Sequence, residues 1–551
     1  MTNVLLLVSV VIILCIILNK LSSKAGMPML LAFIVLGMVF GSDGLLKIKF
    51  DDYKSAESIC SIALIFIIFY GGFGTKWNVA KPVATKAILL STLGVVLTAV
   101  FTGLFCHFVL RFSLLESFLV GAVTSSTDAA SVFAILRSKK LNLKYNTASL
   151  LEVESGSNDP LSYMLTIIVL SFMQGNASTG KMIYMLFAQI VYGFAFGVAI
   201  AYGALYILRK FNFSYAGFDF LFVLAVASLS YAIPTLIGGN GYLSAYVAGL
   251  FLGNKTFPQK KNLVHFFDGI TGLMQMLIFF LLGLLSLPSK MIHLVLPSLA
   301  IALFITFVSR PLTIFTILSP MKCKINQQLL ISWTGLRGAA SIVFAIMAVT
   351  NKAYSSDGNL FHIVFCIVLF SIALQGSLIP FMAKKLKMID DSSNVLKTFN
   401  DYPDEVPVQF IKLNVNPGHA WIDKAVREVV LPPETILVLI LRDGKRIVPR
   451  GNTEIKSLDE IVLCAQVFAS ESVDTISLGV KKSTEEGNSD IELVELLLEE
   501  NHSWIGKKLS EIGPALQKSL VVLIKRNGHI VIPDGRTVLR VNDILVLEHD
   551  D

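Results

Sequence analysis

Apolar positions dominate the chain from about residue 4 to 385, and polar positions return after that point. Within the first stretch, apolar runs of about 17–25 residues recur, long enough to cross a bilayer as α-helices. Thirteen such spans can be placed, at roughly 4–19, 27–42, 58–75, 87–110, 115–136, 147–173, 181–208, 218–236, 240–254, 263–287, 291–319, 328–350 and 360–383. The pattern predicts an all-α polytopic membrane domain over residues 1–388. The first run, "VLLLVSVVIILCIIL", has no basic residue before it and no small-residue cleavage site after it, so it reads as a retained helix.

From residue 389 the apolar period shortens to strand-like alternation and no spanning run remains. The segment 419–465 aligns with 502–549 at an offset of 83 residues, rising to 84 after one insertion. His419/His502, Trp421/Trp504, Thr453/Thr537 and Asp459/Asp543 match, and Asp443-Gly444 faces Asn527-Gly528. Asp-Gly and Asn-Gly between alternating apolar runs are strong hairpin signals. Each copy therefore predicts a strand, a short helix and two or three further strands. The expected tail is two small α+β cytoplasmic domains, 405–475 and 490–551, with polar linkers at 389–404 and 476–489.

Composition agrees with the patterning. The chain is 54% hydrophobic and 15% charged, with a mean hydropathy of +0.70, whereas soluble domains carry nearer a quarter charged residues. Its net charge of +7 is no sign of nucleic-acid binding, because most of the excess sits beside membrane helices. Alternate loops hold nineteen Lys and Arg, and the intervening loops hold seven. Positive charge marks the cytoplasmic side, so the sequence predicts a multi-pass cell-membrane protein with its N-terminus outside and its tail inside. The six cysteines lie scattered without metal-ligand spacing, which predicts neither a disulfide framework nor a zinc site.

Against this background a few ionisable residues must lie deep: Asp128, Glu154, Asp159, Arg310 and Arg337. Each costs about 2.5–3.5 kcal/mol on insertion scales, so such residues are by default a pathway, a relay or an internal ion pair. "TSSTDAAS" around Asp128 and "WTGLRGAAS" around Arg337 set hydroxyl and small residues beside a charge. Both segments predict discontinuous helices, in the fifth and twelfth spans, corresponding positions of an inverted repeat. Three acids face two arginines that cannot be deprotonated. If both arginines are paired, one carboxylate is left, and it must take a proton or a cation. Competition of the two for one site, with access from alternate sides, is exchange. Asp159 is the favoured unpaired acid, with Ser155 on the same helix face and Pro160 freeing a backbone carbonyl nearby. Glu154 points elsewhere and can hold an arginine. Oxygen ligands of this kind suit an alkali cation.

These residues resemble the NhaP-type branch of the monovalent cation:proton antiporters. "ESGSNDP" (154–160) is similar to its ion-binding signature, "STDA" (126–129) to its unwound-helix Thr-Asp, "GLRGAAS" to its arginine motif and "SRP" (309–311) to its other arginine. "GGNGYLSAYVAGLFLGN" and "FFDGITGLMQM" resemble the potassium/proton subfamily. The resemblance implies that Asp159 binds the ion, with Ser155, Asn158, Thr127 and Asp128 as further ligands or neighbours, and that Glu154, Arg310 and Arg337 form structural pairs. Asn158 implies electroneutral one-for-one exchange of K⁺ or Na⁺ for H⁺, and the family implies a homodimer in lipid. In the third span, Tyr70 stands where related sequences often carry an acid.

The tail repeats resemble tandem C-terminal lobes of regulators of potassium conductance, which bind small regulatory ligands. No GxGxxG follows a strand there, so NAD or ATP gating through a Rossmann lobe is not expected. Arg442, Arg446, Arg450, Lys525, Arg526 and Arg536 cluster around the hairpins. They are candidates for an anionic ligand such as a cyclic dinucleotide or an adenine nucleotide, or else a solvated basic edge. His419 and His502 read first as structural turns. The rival functions fit less well. A regulator-gated potassium channel or uptake-type transporter would need a TVGYG-like filter, a pump a phosphate loop, and an intramembrane hydrolase a deep histidine base. None of these is visible in the sequence, and no enzyme activity is expected.

Overall fold

The structure is a computed structural model. It describes residues 2–390 apart from 26–27, 140, 176–178, 212–216, 256, 258–259 and 355–358. In the tail it describes 408–466 apart from 416, 418–420, 430, 432–434 and 443–444, and 493–549 apart from 499–501, 503, 513–518, 527–528, 532–536 and 542. The chain divides into two units, Met1–Asp401 and Tyr402–Asp551.

The first unit is helical. Its main elements are α1 (Thr2–Ala25), α2 (Met29–Phe40), α3 (Tyr53–Gly74), α4 (Ala84–Phe108), α5 in two halves (Leu114–Val123 and Ala129–Ser138) and α6 (Thr147–Met173). There follow α7 (Thr179–Lys210), α8 (Phe218–Leu236), α9 (Gly241–Gly253), α10 (Lys260–Leu285) and α11 (Val295–Leu318). Last come α12 in two halves (Ile325–Trp333 and Ala339–Thr350) and α13 (Asn359–Gly376). Seven of the described helices are long and apolar enough to cross a membrane by length and composition. The two broken helices fall on the two segments whose hydroxyl and glycine content predicts them. Small residues let other helices approach closely, as membrane helices do without a hydrophobic drive between them. At the α2–α10 crossing, for example, a Cβ on Gly37 would overlap the backbone of Phe280 and Gly283.

The second unit holds two copies of one lobe. In the first, β1 (Val408–Asn414), β2 (Thr435–Arg442), β3 (Lys445–Ile447) and β4 (Glu460–Gln466) form an antiparallel sheet in the order β1-β4-β2-β3. In the second, β5 (Leu493–Leu497), β6 (Ser519–Arg526), β7 (His529–Val531) and β8 (Ile544–His549) repeat it as β5-β8-β6-β7. Arg442 pairs with Lys445 and Arg526 with His529 across the two expected hairpins, whose Asp-Gly and Asn-Gly tips lie outside the described residues. A short helical turn precedes β2 and β6, at Val426–Glu428 and Leu509–Ile512.

The repeat extends to its polar core. Arg442 donates to both oxygens of Asp459 at 2.7 and 2.8 Å and to the Glu454 carbonyl at 2.7 Å. Arg526 does the same with Asp543, at 2.8 and 2.7 Å, and with the Val538 carbonyl at 2.6 Å. Burial alone would raise both carboxyls. The guanidiniums and the backbone N–H groups of Lys456 and Arg540 outweigh it and hold both below the usual carboxylate range. These arginines, which the sequence groups with the candidate anion-binding set, are partly exposed, and each pairs with an aspartate that its lobe buries. Arg450 is exposed, and the side chains of Arg446, Lys525 and Arg536 lie outside the described residues, as does His419. His502 packs edge-on to Trp504 at 4.8 Å between ring centroids, as a structural turn would place it.

Because the folded Asp543 carboxyl is depressed, its pair stabilises the lobe fully above the ordinary carboxyl value of 3.8, and that support is lost as pH falls below it. We expect Asp543→Asn to cost the second lobe about 2–4 kcal/mol at neutral pH, since Arg526 is left opposite a neutral amide. Hydrogen exchange of the intact protein should then speed up in β6 and β8 and stay unchanged in β2 and β4.

Candidate functional site

The two helix breaks meet. After Val123, the side chains of Thr124 and Ser125 turn back onto the carbonyls of Val120 and Ala122, both at 2.7 Å. Hydroxyls that satisfy the backbone locally compete with continued helix, and the chain runs extended to Asp128. There the helix restarts: Asp128 accepts the Ser131 N–H at 3.2 Å and the Ser131 hydroxyl as well, an N-cap at the positive end of the second half-helix. In α12 the Thr334 hydroxyl returns to Leu330 at 3.0 Å, and Gly335 to Gly338 separate the halves.

The two extended segments cross and cap one another. The Asp128 N–H donates to the Leu336 carbonyl at 2.8 Å. Arg337 Nη1 donates to the carbonyls of Ser125 and Ser126 at 2.8 and 2.7 Å. These carbonyls follow the C-terminal end of the first α5 half, where the helix dipole is negative and backbone oxygens lack helical partners. The sequence predicts a carboxylate partner for Arg337. Among the described residues it meets none within ion-pair distance; Nη1 is bound to the broken helix end, and Nε and Nη2 are buried without a hydrogen-bond partner there. A Cβ at Gly338 would overlap the Asp128 side chain, which explains glycine beside this arginine.

Arg310 is paired as the sequence predicts. Its Nη2 lies 2.5 Å from Glu154 Oε1, joining α11 to α6, and both side chains are at most 4% exposed. Asp159, five residues along α6, meets no arginine among the described residues. Its Oδ1 is buried and has no hydrogen-bond partner. The residues around it hold the extended segment of α5 in place. Asn158 Nδ2 donates to Thr127 Oγ1 at 2.6 Å. The Ser155 hydroxyl donates to the Thr127 carbonyl at 2.7 Å and accepts the Ala129 N–H at 2.8 Å. Asn240 takes the Pro160 carbonyl at 2.8 Å.

Asp128, Asp159, Thr127 and Ser155 all line one cavity of about 320 Å³. So do two carboxylates that counting deep charges in the sequence misses, Glu152 and Asp268. Tyr70 donates to Asp268 Oδ1 at 2.6 Å. An acid from α10 thus stands beside position 70 on α3, and the tyrosine holds it. The signal was present as spacing. Glu152, Ser155, Gly156 and Asp159 lie at i, i+3, i+4 and i+7 of α6, and Asp268, Thr271 and Gln275 at i, i+3 and i+7 of α10. All seven line the cavity.

Glu154→Gln leaves a buried guanidinium without its counter-charge, a change that typically costs about 3–5 kcal/mol. We expect the detergent-solubilised protein to melt several degrees lower, whatever its transport activity. Gly338→Ala should instead move the Asp128 carboxylate, and we expect cation-coupled proton flux to fall to background while the protein still folds.

Comparison with known proteins agrees with this architecture. Residues 9–385 match the family described as sodium/hydrogen exchanger, transmembrane, and residues 410–467 and 493–548 each match the TrkA-C domain. The chain is 33% identical over 479 residues to the K(+)/H(+) antiporter NhaP of Alkalimonas amylolytica, covering 86% of this chain and 82% of that protein. It is 29% identical to the K(+)/H(+) antiporter NhaP2 of Shewanella baltica, over 84% of this chain and 80% of that one. Among solved structures, the sodium proton antiporter MjNhaP1 from Methanocaldococcus jannaschii at pH 8 shares its fold, with a TM-score of 0.60 at 24% identity, over 67% of this chain and 97% of that one. With a transmembrane match spanning well over half its length and two TrkA-C lobes behind it, the chain belongs to the sodium/hydrogen exchanger family.

Proposed function

We propose that the protein is an electroneutral antiporter that exchanges K⁺ or Na⁺ for H⁺ across the cell membrane, with Asp159 as the exchanging group. The observation that carries this is the buried Asp159 oxygen without a hydrogen-bond partner, facing a cavity lined by other oxygen donors. A carboxylate so placed is neutralised by a proton or by an alkali cation. Arg310 neutralises Glu154, whereas Asp128 and Asp268 accept hydrogen bonds from the neutral Ser131 and Tyr70. Asp159 is the carboxylate assigned to exchange, and one exchanging carboxylate carries one cation or one proton per cycle. The names of the relatives, K(+)/H(+) antiporters among them, support the same substrates.

Coupling needs no further chemistry. A loaded Asp159 carboxylate, with proton or cation, is itself neutralised and can cross between access states, whereas an empty one is held back by the cost of burying a bare ion. Thr127, Ser155 and Asn158 position the ligand oxygens, and Arg337 keeps the crossing intact. The excess of basic residues in alternate loops supports a tail on the cytoplasmic side, and the TrkA-C lobes suit a regulatory role, with an anionic nucleotide as the candidate ligand class. The protein acts as a homodimer in the lipid bilayer.

Proton flux in proteoliposomes with a trapped pH dye tests this. Added K⁺ or Na⁺ should release protons from wild-type vesicles without help from a charge-compensating ionophore, and the ratio of the two rates gives the preference. Asp159→Asn should show background flux only. Where protons compete directly, the apparent cation KM should rise about tenfold per pH unit on acidification. A KM independent of pH in the acid range would sink the single-site mechanism.

A further inference from the structure

The residues that the sequence assigns to the start of the polar linker are partly bound. Ile389 pairs with Leu143 in an antiparallel bridge, flanked by Lys144 N–H to the Met388 carbonyl at 2.9 Å and Asp390 N–H to the Asn142 carbonyl at 3.0 Å. Met388 is 1% exposed and joins Leu143, Leu136, Leu150, Leu330 and Leu336 in one apolar cluster. The loop it grips, 139–146, joins the second α5 half to α6. Asp128 opens the first of these helices and Asp159 lies on the second.

The other broken helix is tied to the same loop. Gln327, near the start of α12, donates to the Tyr145 carbonyl at 3.2 Å and to Thr147 Oγ1 at 3.1 Å. Lys324 donates to the Tyr145 hydroxyl at 2.9 Å, and Asn326 donates to the Leu386 carbonyl at 3.1 Å. Tyr145 and Asn146 are both left-handed, at φ 60° and 51°, a backbone that non-glycine residues keep only where neighbours hold it. One hydrogen-bonded joint therefore connects the chain leading to the tail with the ends of α5, α6 and α12.

We infer that this joint, residues 386–390 on the 142–147 loop, is the route by which the cytoplasmic lobes act on the exchange site. This rests on the antiport proposed above and names how it is regulated. Tension on residue 390 is applied directly to the 142–144 strand. Two stiff helices then carry it to Asp128 and Asp159, about 15 and 20 Å away along the helix axes. A flexible tether could not transmit such a change; a chain paired on both sides of its bridge can.

The test locks the joint and then severs the tail. Leu143 and Ile389 face each other in a non-hydrogen-bonded antiparallel pair, a spacing a disulfide can span. In the full chain, Leu143→Cys with Ile389→Cys is combined with a protease site inserted between residues 391 and 400. Cation-driven proton flux is then read in proteoliposomes, oxidised or reduced, before and after cleavage. In the reduced protein we expect cleavage to change the rate at least about threefold. In the oxidised protein, where the joint stays fixed, cleavage should change it by less than a quarter of that. Equal effects in both forms would mean the tail acts by another path, and no effect in either would mean it does not act on exchange at all; both overturn the inference. The same vesicles without either substitution must show cation-coupled flux that Asp159→Asn abolishes. If that flux is missing, it is the antiport that fails, independently of the joint.

Discussion

Everything at the centre of the membrane domain depends on one crossing. Two helices are interrupted at facing positions, and each supplies what the other's break exposes. Arg337 of α12 satisfies the carbonyls of Ser125 and Ser126 beyond the end of one α5 half, while the Asp128 N–H of α5 satisfies the Leu336 carbonyl in the α12 break. In a medium without water to satisfy free backbone groups, a broken helix is tolerable only where protein groups take over. The crossing meets that requirement. It also leaves a polar, oxygen-rich spot in an apolar domain, which an ion-exchanging site needs.

Around it, the ionisable groups divide by task. Glu154 and Arg310 neutralise each other and join α6 to α11. Asp159 is one and a third helical turns further along, so its side chain points away from that pair and toward the cavity. The difference between an acid paired with an arginine and one facing the cavity is therefore a rotation about a single helix. Ser155 and Asn158 fall on the side of α6 that meets Thr127 and fix the extended segment to the helix that carries Asp159. A change in α5 is thereby felt at the carboxylate.

The tail shows the opposite strategy. Its two lobes are small, and each fixes its sheet with one arginine and one fully buried aspartate at matching places in the repeat. Such a pair is weak evidence for stability taken alone, but here each guanidinium also takes a backbone carbonyl, so its donors are well used. Arg442 and Arg526 thus hold their lobes together while staying partly exposed.

The sequence by itself determined the layout. Apolar run lengths set a membrane domain, the hydroxyl and glycine stretches at 124–131 and 334–341 marked both breaks, and the 83-residue repeat announced two lobes with their hairpins. It also set Glu154 and Asp159 on different faces of one helix and offered Glu154 an arginine, because such signals are local: period, composition and spacing on one helix face. What only the tertiary structure decided was partnership across distance. Glu154 and Arg310 are 156 residues apart, and Arg337 reaches carbonyls more than 200 residues away. Charge counting assigned Arg337 a carboxylate because it counts side chains and cannot see a helix end as a negative partner. The same limit hid Asp268 beside Tyr70 and the bridge from Ile389 to Leu143, since no local pattern records which faces of distant helices and loops meet once they pack.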